Sequence, residues 1–183
     1  MNYKHLTIAA FISVIGMGAM WHDGDGLTPV DEYQLRLVLI EKLVQYYEYA
    51  PEARYKKVPA GPFRFGIVGK KNPFGVPLDA YKTENKFKSR SIEVVHYTEA
   101  ADYNDIPDLL YVPAEETHRL LDYAVQLSGK PCLVIVEERS VNIRNSCMGI
   151  FKNEGKIKVD LNYEVLEKNG FHYEEGLLKY SSN

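Results

Sequence analysis

Three groups of residues in this chain are of types that do chemistry: a glycine-bounded turn, a scatter of histidines and paired acids, and two cysteines. The turn lies in Phe63 to Gly75, FRFGIVGKKNPFG. Turn amides ahead of a helix attract phosphate. The Walker spacing is missing, however, since no Gly-x-x-x-x-Gly-Lys-Ser/Thr runs through Gly61, Gly66 or Gly69. The stretch therefore reads as a strand, a tight turn and a helix opened by Pro73. His5, His22, His96, His118 and His172 show no i, i+4 pairing with another ligand-type residue, so no metal site is predicted. The pairs Glu115-Glu116, Glu137-Glu138 and Glu174-Glu175 suggest paired-carboxylate catalysis only at first sight. Neighbouring carboxylates on a helix point apart, and solvated surface charge is the reading they support. No Gly-x-Ser-x-Gly elbow occurs, and Cys132 heads an apolar run, where a thiol is inert. The chain is thus predicted to hold no catalytic, cofactor or metal-ligating set. Cys132 and Cys147 form one candidate disulfide for an oxidising compartment. Closing that loop without strain contributes about 3 kcal/mol, although strand neighbours often point apart.

The elements that must position these residues follow from periodicity. Asp31 to Tyr49 reads as a helix behind Thr28 and Pro29, with Gln34, Glu41, Gln45 and Glu48 on one face and Leu35, Leu39, Leu43 and Tyr46 opposite. Ala50 to Pro62, with three prolines, reads as a connector. Phe63 to Val68, Ile92 to Tyr97, Leu109 to Val112 and Cys132 to Val136 read as strands, the last an uninterrupted apolar run covered on both faces. Between them lie predicted helices from Pro73 to Lys82 and from Ala114 to Leu127, the latter ended by Gly129. Met148 to Phe151 and Lys156 to Leu161 read as a hairpin across Asn153-Glu154-Gly155. A short helix, Tyr163 to Lys168, stops at Asn169-Gly170, and Leu177 to Tyr180 is a last extended segment. Strands alternating with helices predict a single α/β domain, a mostly parallel sheet flanked by helices on both faces, with a C-terminal β-hairpin.

Composition narrows the function. At 183 residues the chain suits one domain with a sizeable core. A net charge of −3 gives no electrostatic footprint for nucleic acid. The first twenty residues differ from the rest: one lysine, then an apolar run from Leu6 to Met20. About 15 apolar residues are too few to span a bilayer, which takes roughly 20, and fit a secretory signal. Residues 1–20 are therefore predicted to be a signal peptide, and 28–183 the mature domain, in the periplasm and not membrane-spanning after processing.

From Glu32 to Tyr180 the chain resembles the YfiR family of exported regulatory proteins. EYQLRLVLIEKLVQYYEY is similar to that family's opening helix, with Tyr49 where tryptophan is usual. FRFGIVGKKNPFG, IEVVHY, PDLLYVPAEE, GKPCLVIVEE, MGIFKNEGKIKVDLN and LEKNGF follow in the family's order and spacing. The resemblance implies a protein that is not an enzyme. It binds the sensory domain of an inner-membrane signalling protein, a diguanylate cyclase or a histidine kinase, and represses it. It also associates the partner-facing surface with the C-terminal strand–helix region, here Asp160 and Leu166. Asn72, Pro73, Phe74 and Gly75 are further candidates for a partner or ligand contact, with packing as the competing role. HYEEGLLKY departs from the family's usual ending, and Cys147 lacks the close second cysteine of redox-sensing members. The alternative is a periplasmic small-ligand-binding module using the cleft beside Gly69 to Gly75; a homodimer through an open sheet edge is also compatible.

Overall fold

The computed structural model describes residues 29–49, 61–74, 90–98, 106–139 and 145–174. The predicted signal peptide, the part of the predicted Pro73–Lys82 helix beyond Phe74, most of the Ala50–Pro62 connector, candidate Gly75 and the segment Leu177–Tyr180 lie outside the described residues. In chain order the elements are α1 (Pro29–Val44), β1 (Tyr47–Tyr49), β2 (Phe63–Val68), β3 (Ile92–Tyr97) and β4 (Leu109–Val112). A 3-10 turn (Ala114–Glu116) then leads into α2 (Thr117–Leu127), followed by β5 (Leu133–Val136), β6 (Met148–Asn153), β7 (Lys156–Leu161), α3 (Tyr163–Lys168) and β8 (Phe171–Tyr173).

Six strands form one sheet in the order β3-β2-β4-β5-β6-β7. The first five run parallel, and β7 returns antiparallel to β6. All four residues of β4 and all four of β5 are buried. Side chains alternate across a strand, so both faces of the central sheet are covered, the expected state of a parallel sheet. The fold is single-domain α/β, as the alternation of strands and helices predicts.

The hairpin is tighter than the sequence reading. Asn153 pairs with Lys156, leaving Glu154 and Gly155 as a two-residue loop with φ of 50° and 74°. Positive φ at both positions is the type I′ turn, whose twist matches the strands it joins. In α3, Asn162 caps the helix by accepting from Val165 N at 3.3 Å, and Gly170 exits at φ 79°.

Two readings are corrected. The first helix does not reach Tyr49: it ends at Val44, and Tyr47–Tyr49 pairs antiparallel with Phe171–Tyr173. Three aromatic residues in four, Tyr46, Tyr47 and Tyr49, favour a pleated partner over a helix. Tyr47 is buried edge-on against Phe171 at 6.3 Å between ring centroids. Secondly, Pro73 and Phe74, read as the start of a helix, sit in a turn.

At the N-terminal ends of the strands a charged clasp fixes the sheet. Arg90 meets Asp108 through both nitrogens, at 2.9 and 3.1 Å. It also donates to Gly61 O and Pro62 O at 2.9 and 2.6 Å, while Asp108 accepts from Arg64 N at 2.8 Å. Asp108 joins three separate segments, and removing its carboxylate strands a part-buried guanidinium and an amide. Asp108→Ala is expected to cost about 3 kcal/mol in urea unfolding, whereas Leu35→Ala, on an exposed position, shifts it by less than about 0.5 kcal/mol.

Candidate functional site

After β2 the chain first builds β3 on one side and then crosses to build β4, β5 and β6 on the other. The connections leaving β2 and β4 therefore diverge, and a crevice opens beyond the carboxyl ends of those strands. Such a reversal point is where open α/β sheets place their ligands. Here the crevice measures about 430 Å³. One wall is Val68, Gly69, Lys70 and Lys71, leaving β2; the other is Pro113, Glu115, Glu116, His118 and Arg119, leaving β4.

Local chemistry keeps the walls in place. Gly69 has φ 96°, a left-handed conformation that glycine adopts without strain. A Cβ there would stand 2.6 Å from Glu116 Oε1, so a side chain at this position would displace the Glu116 carboxylate. Gly69 N donates to Tyr97 O at 2.9 Å, and His96 Nδ1 lies 2.9 Å from Gly69 O, binding the turn to β3. Arg119 pairs with Glu116 at 3.3 Å and donates to Thr98 O at 2.8 Å. The two strand ends flanking β2 are thereby tied together.

Behind the crevice lies a buried charge network. Glu137, at the end of β5, accepts from Ala114 N at 3.1 Å and from the Tyr111 hydroxyl. Arg36 of α1 stands 3.2 Å from Glu137 and donates to Glu32 at 2.6 Å. Lys152 of the β6–β7 hairpin reaches Glu32 at 2.7 Å. Arg36 is 6% exposed and Glu137 is 9% exposed. The reading of Glu137 as solvated surface charge is thus overturned: it follows β5 directly and stays inside the covered sheet. Burial pushes the Tyr111 hydroxyl well above the usual tyrosine range, and neighbouring Glu137 pushes it further, so Tyr111 remains the donor. Burial works against the charge on Arg36, but Tyr111 and Glu137 outweigh it and the guanidinium is held charged.

The sequence candidates separate by burial. Phe74 is fully buried, edge-on to Phe65 at 5.8 Å and tilted against Tyr111 at 4.7 Å. Asn72 is exposed, and its side chain accepts from Phe74 N at 3.0 Å; Pro73 is half-buried. Asp160 and Leu166 are fully buried. Direct contact through Phe74, Asp160 or Leu166 requires the surface above them to open, and in this conformation they support it from beneath. Cys132 and Cys147 are free, buried thiols. Cys147 Sγ lies 3.8 Å from Cys132 O, and Asn169 contacts both, at 3.3 Å from Cys132 O and 3.6 Å from Cys147 Sγ. Among the described residues no group of three His, Cys, Asp or Glu stands close enough to hold a metal ion. No described helix is long and apolar enough to cross a membrane.

The YfiR/HmsC-like family model matches residues 33–182. The chain belongs to the YfiR/HmsC-like family. None of the curated proteins matches it. The YfiR/HmsC-like match takes in both walls of the crevice, the charge network apart from Glu32, and the hairpin with α3. Sequence reasoning marked the turn at Gly69 but missed Arg36 and Glu137. The signal was present in both: an arginine flanked by Leu35, Leu37, Val38 and Leu39, and an acid abutting a run of four apolar strand residues.

Two measurements test these environments. The Lys152 ammonium bonded to Glu32 holds that carboxyl below the usual glutamate range, against the opposing effect of burial. A depressed folded pKa contributes stability that is present above the ordinary glutamate value and lost as pH falls through the folded one. Glu32→Gln is expected to flatten the acid limb of the stability–pH curve, modestly, because Lys152 is 41% exposed and solvent screens the pair. Burial pushes the Cys147 thiol up to about 12 and the Cys132 thiol well above its ordinary range. With reductant present, neither is expected to react with iodoacetamide at pH 8 until the protein is unfolded; rapid labelling of native protein contradicts the buried placement. Unfolding without reductant is then expected to expose two labelable thiols, as free cysteines require.

Proposed function

We propose that this chain is a periplasmic regulatory protein that binds the extracytoplasmic sensory domain of an inner-membrane signalling protein and lowers its output. The receptor is a diguanylate cyclase or a histidine kinase. The observation that carries this reading is membership of the YfiR/HmsC-like family across residues 33–182. On this reading the chain has no reaction of its own and acts by binding one state of a two-state receptor better than the other.

The surface assigned to the receptor is the C-terminal strand–helix region. Asp160 and Leu166 are buried beneath it, and Glu164, Glu167 and Lys168 on α3 are exposed, as is the hairpin tip from Lys152 to Lys156. A homodimer would use the open edge of β7, where Lys156 and Lys158 discourage strand pairing; this favours the receptor as occupant.

Affinity capture from solubilised membranes with the tagged protein is expected to recover one sensor protein. Glu164→Lys combined with Glu167→Lys should weaken that capture while leaving the thermal midpoint within about 2 °C of the parent. Deleting the gene should raise the receptor's output, read as cellular cyclic di-GMP for a cyclase. A protein that fractionates with the cytosol and captures only itself ends this reading.

A further inference from the structure

We propose that the crevice between the β2 and β4 ends is a binding site for a small organic anion, one carrying a carboxylate or phosphate group. This inference stands apart from receptor binding, since it rests on the shape and charge of the crevice alone. The volume, about 430 Å³, falls in the range of small-ligand sites. Its position at the sheet's reversal point is the one that open α/β folds use for ligands.

The charge of the ligand follows from the walls. Lys70, Lys71 and Arg119 are fixed cations facing Glu115 and Glu116. Glu116 is engaged by Arg119 at 3.3 Å, so the charge left on offer is Lys70 and Lys71 against Glu115. This locally cationic mouth sits on a chain whose net charge is −3, which concentrates anions there relative to the rest of the surface. The amide of Ala114 is already taken by Glu137, so the two lysines, not a helix end, supply the attraction. Gly69 leaves room for the Glu116 carboxylate, which a side chain there would displace. The two lysines are exposed, so each can lose its charge without disturbing the core.

Amide-shift titration of the full chain with inorganic phosphate, benzoate and phenyl phosphate, with benzylamine as the cationic counterpart, tests the assignment. Saturable shifts at Gly69, Lys70, Lys71, Glu116 and His118 are expected with an anion and not with benzylamine. The variant carrying Lys70→Ala and Lys71→Ala should bind at least about tenfold more weakly while keeping the parent's melting temperature, and binding should fall with added salt. Response to phosphate but not to benzoate identifies the phosphate head as the ligand chemistry; the reverse identifies the carboxylate. The proposal is overturned if benzylamine binds as tightly, if the lysine variant binds unchanged, if the shifts map elsewhere, or if no anion saturates below roughly millimolar concentration.

Discussion

The ion pair between Arg36 and Glu137 is the contact on which the arrangement of this molecule turns. A parallel sheet buried on both faces leaves no exposed strand from which to hang a charge, yet Glu137 immediately follows the apolar run of β5 and is 9% exposed. An uncompensated carboxylate there would be costly. Two hydrogen-bond donors and one cation answer it: the Tyr111 hydroxyl on β4, the Ala114 amide ahead of α2 and the Arg36 guanidinium on α1, which Glu32 in turn links to the Lys152 ammonium on the hairpin. A buried ion pair is weak evidence of net stability. What it distinguishes is register: sliding α1 along the sheet would separate Arg36 from Glu137 and leave two buried charges uncompensated.

That constraint also shapes the crevice. Because Glu137 holds Ala114 N, the chain leaving β4 is fixed before α2 begins, and Glu115, Glu116, His118 and Arg119 are set against the turn at Gly69. On the opposite wall Phe74 is anchored between Phe65 and Tyr111, so the excursion from Gly69 through Asn72 is pinned at both ends. Tyr111 belongs to both arrangements, with its ring against Phe74 and its hydroxyl on Glu137. One side chain therefore connects the interior packing of one wall to the electrostatics behind the other. Crevice and charge network form one contiguous structure, which reaches the hairpin through Glu32 and Lys152.

Much of this fold was legible in the residues, for identifiable reasons. β2, β3, β4 and α3 fall on the positions read from periodicity: β2, β4 and α3 are strong local patterns bounded by glycine, proline or asparagine, and β3 is rich in β-branched residues. The end of α1 was not legible, since Tyr46 to Tyr49 continues the helical spacing and only the distant strand Phe171–Tyr173 makes pairing the better option. β8 itself was missed for the same reason: three residues are too few to carry a pattern. The site divides along the same line. The turn at Gly69 announces itself by composition, whereas Arg36, Tyr111 and Glu137 lie far apart in sequence and acquire meaning only when the sheet order brings them together. Asp160 and Leu166 show the converse, since family likeness marks the region and burial shows those side chains lie beneath its surface.

A regulator that acts by contact needs a rigid body, so that a change at one place is felt at another rather than absorbed locally. Here the two ends of the strands are secured differently. At the N-terminal ends Arg90 grips Asp108 with both nitrogens and two carbonyls besides, a fork geometry that tolerates little movement. At the C-terminal ends the Glu137 network is buried, but the outer ion pairs, Arg119 to Glu116 and Lys152 to Glu32, are both part-exposed. Part-exposed pairs are worth little individually and exchange partners at small cost. Adjustment to a bound anion or a receptor therefore costs least at these outer pairs, while the Arg90–Asp108 clasp holds the opposite ends of the strands together.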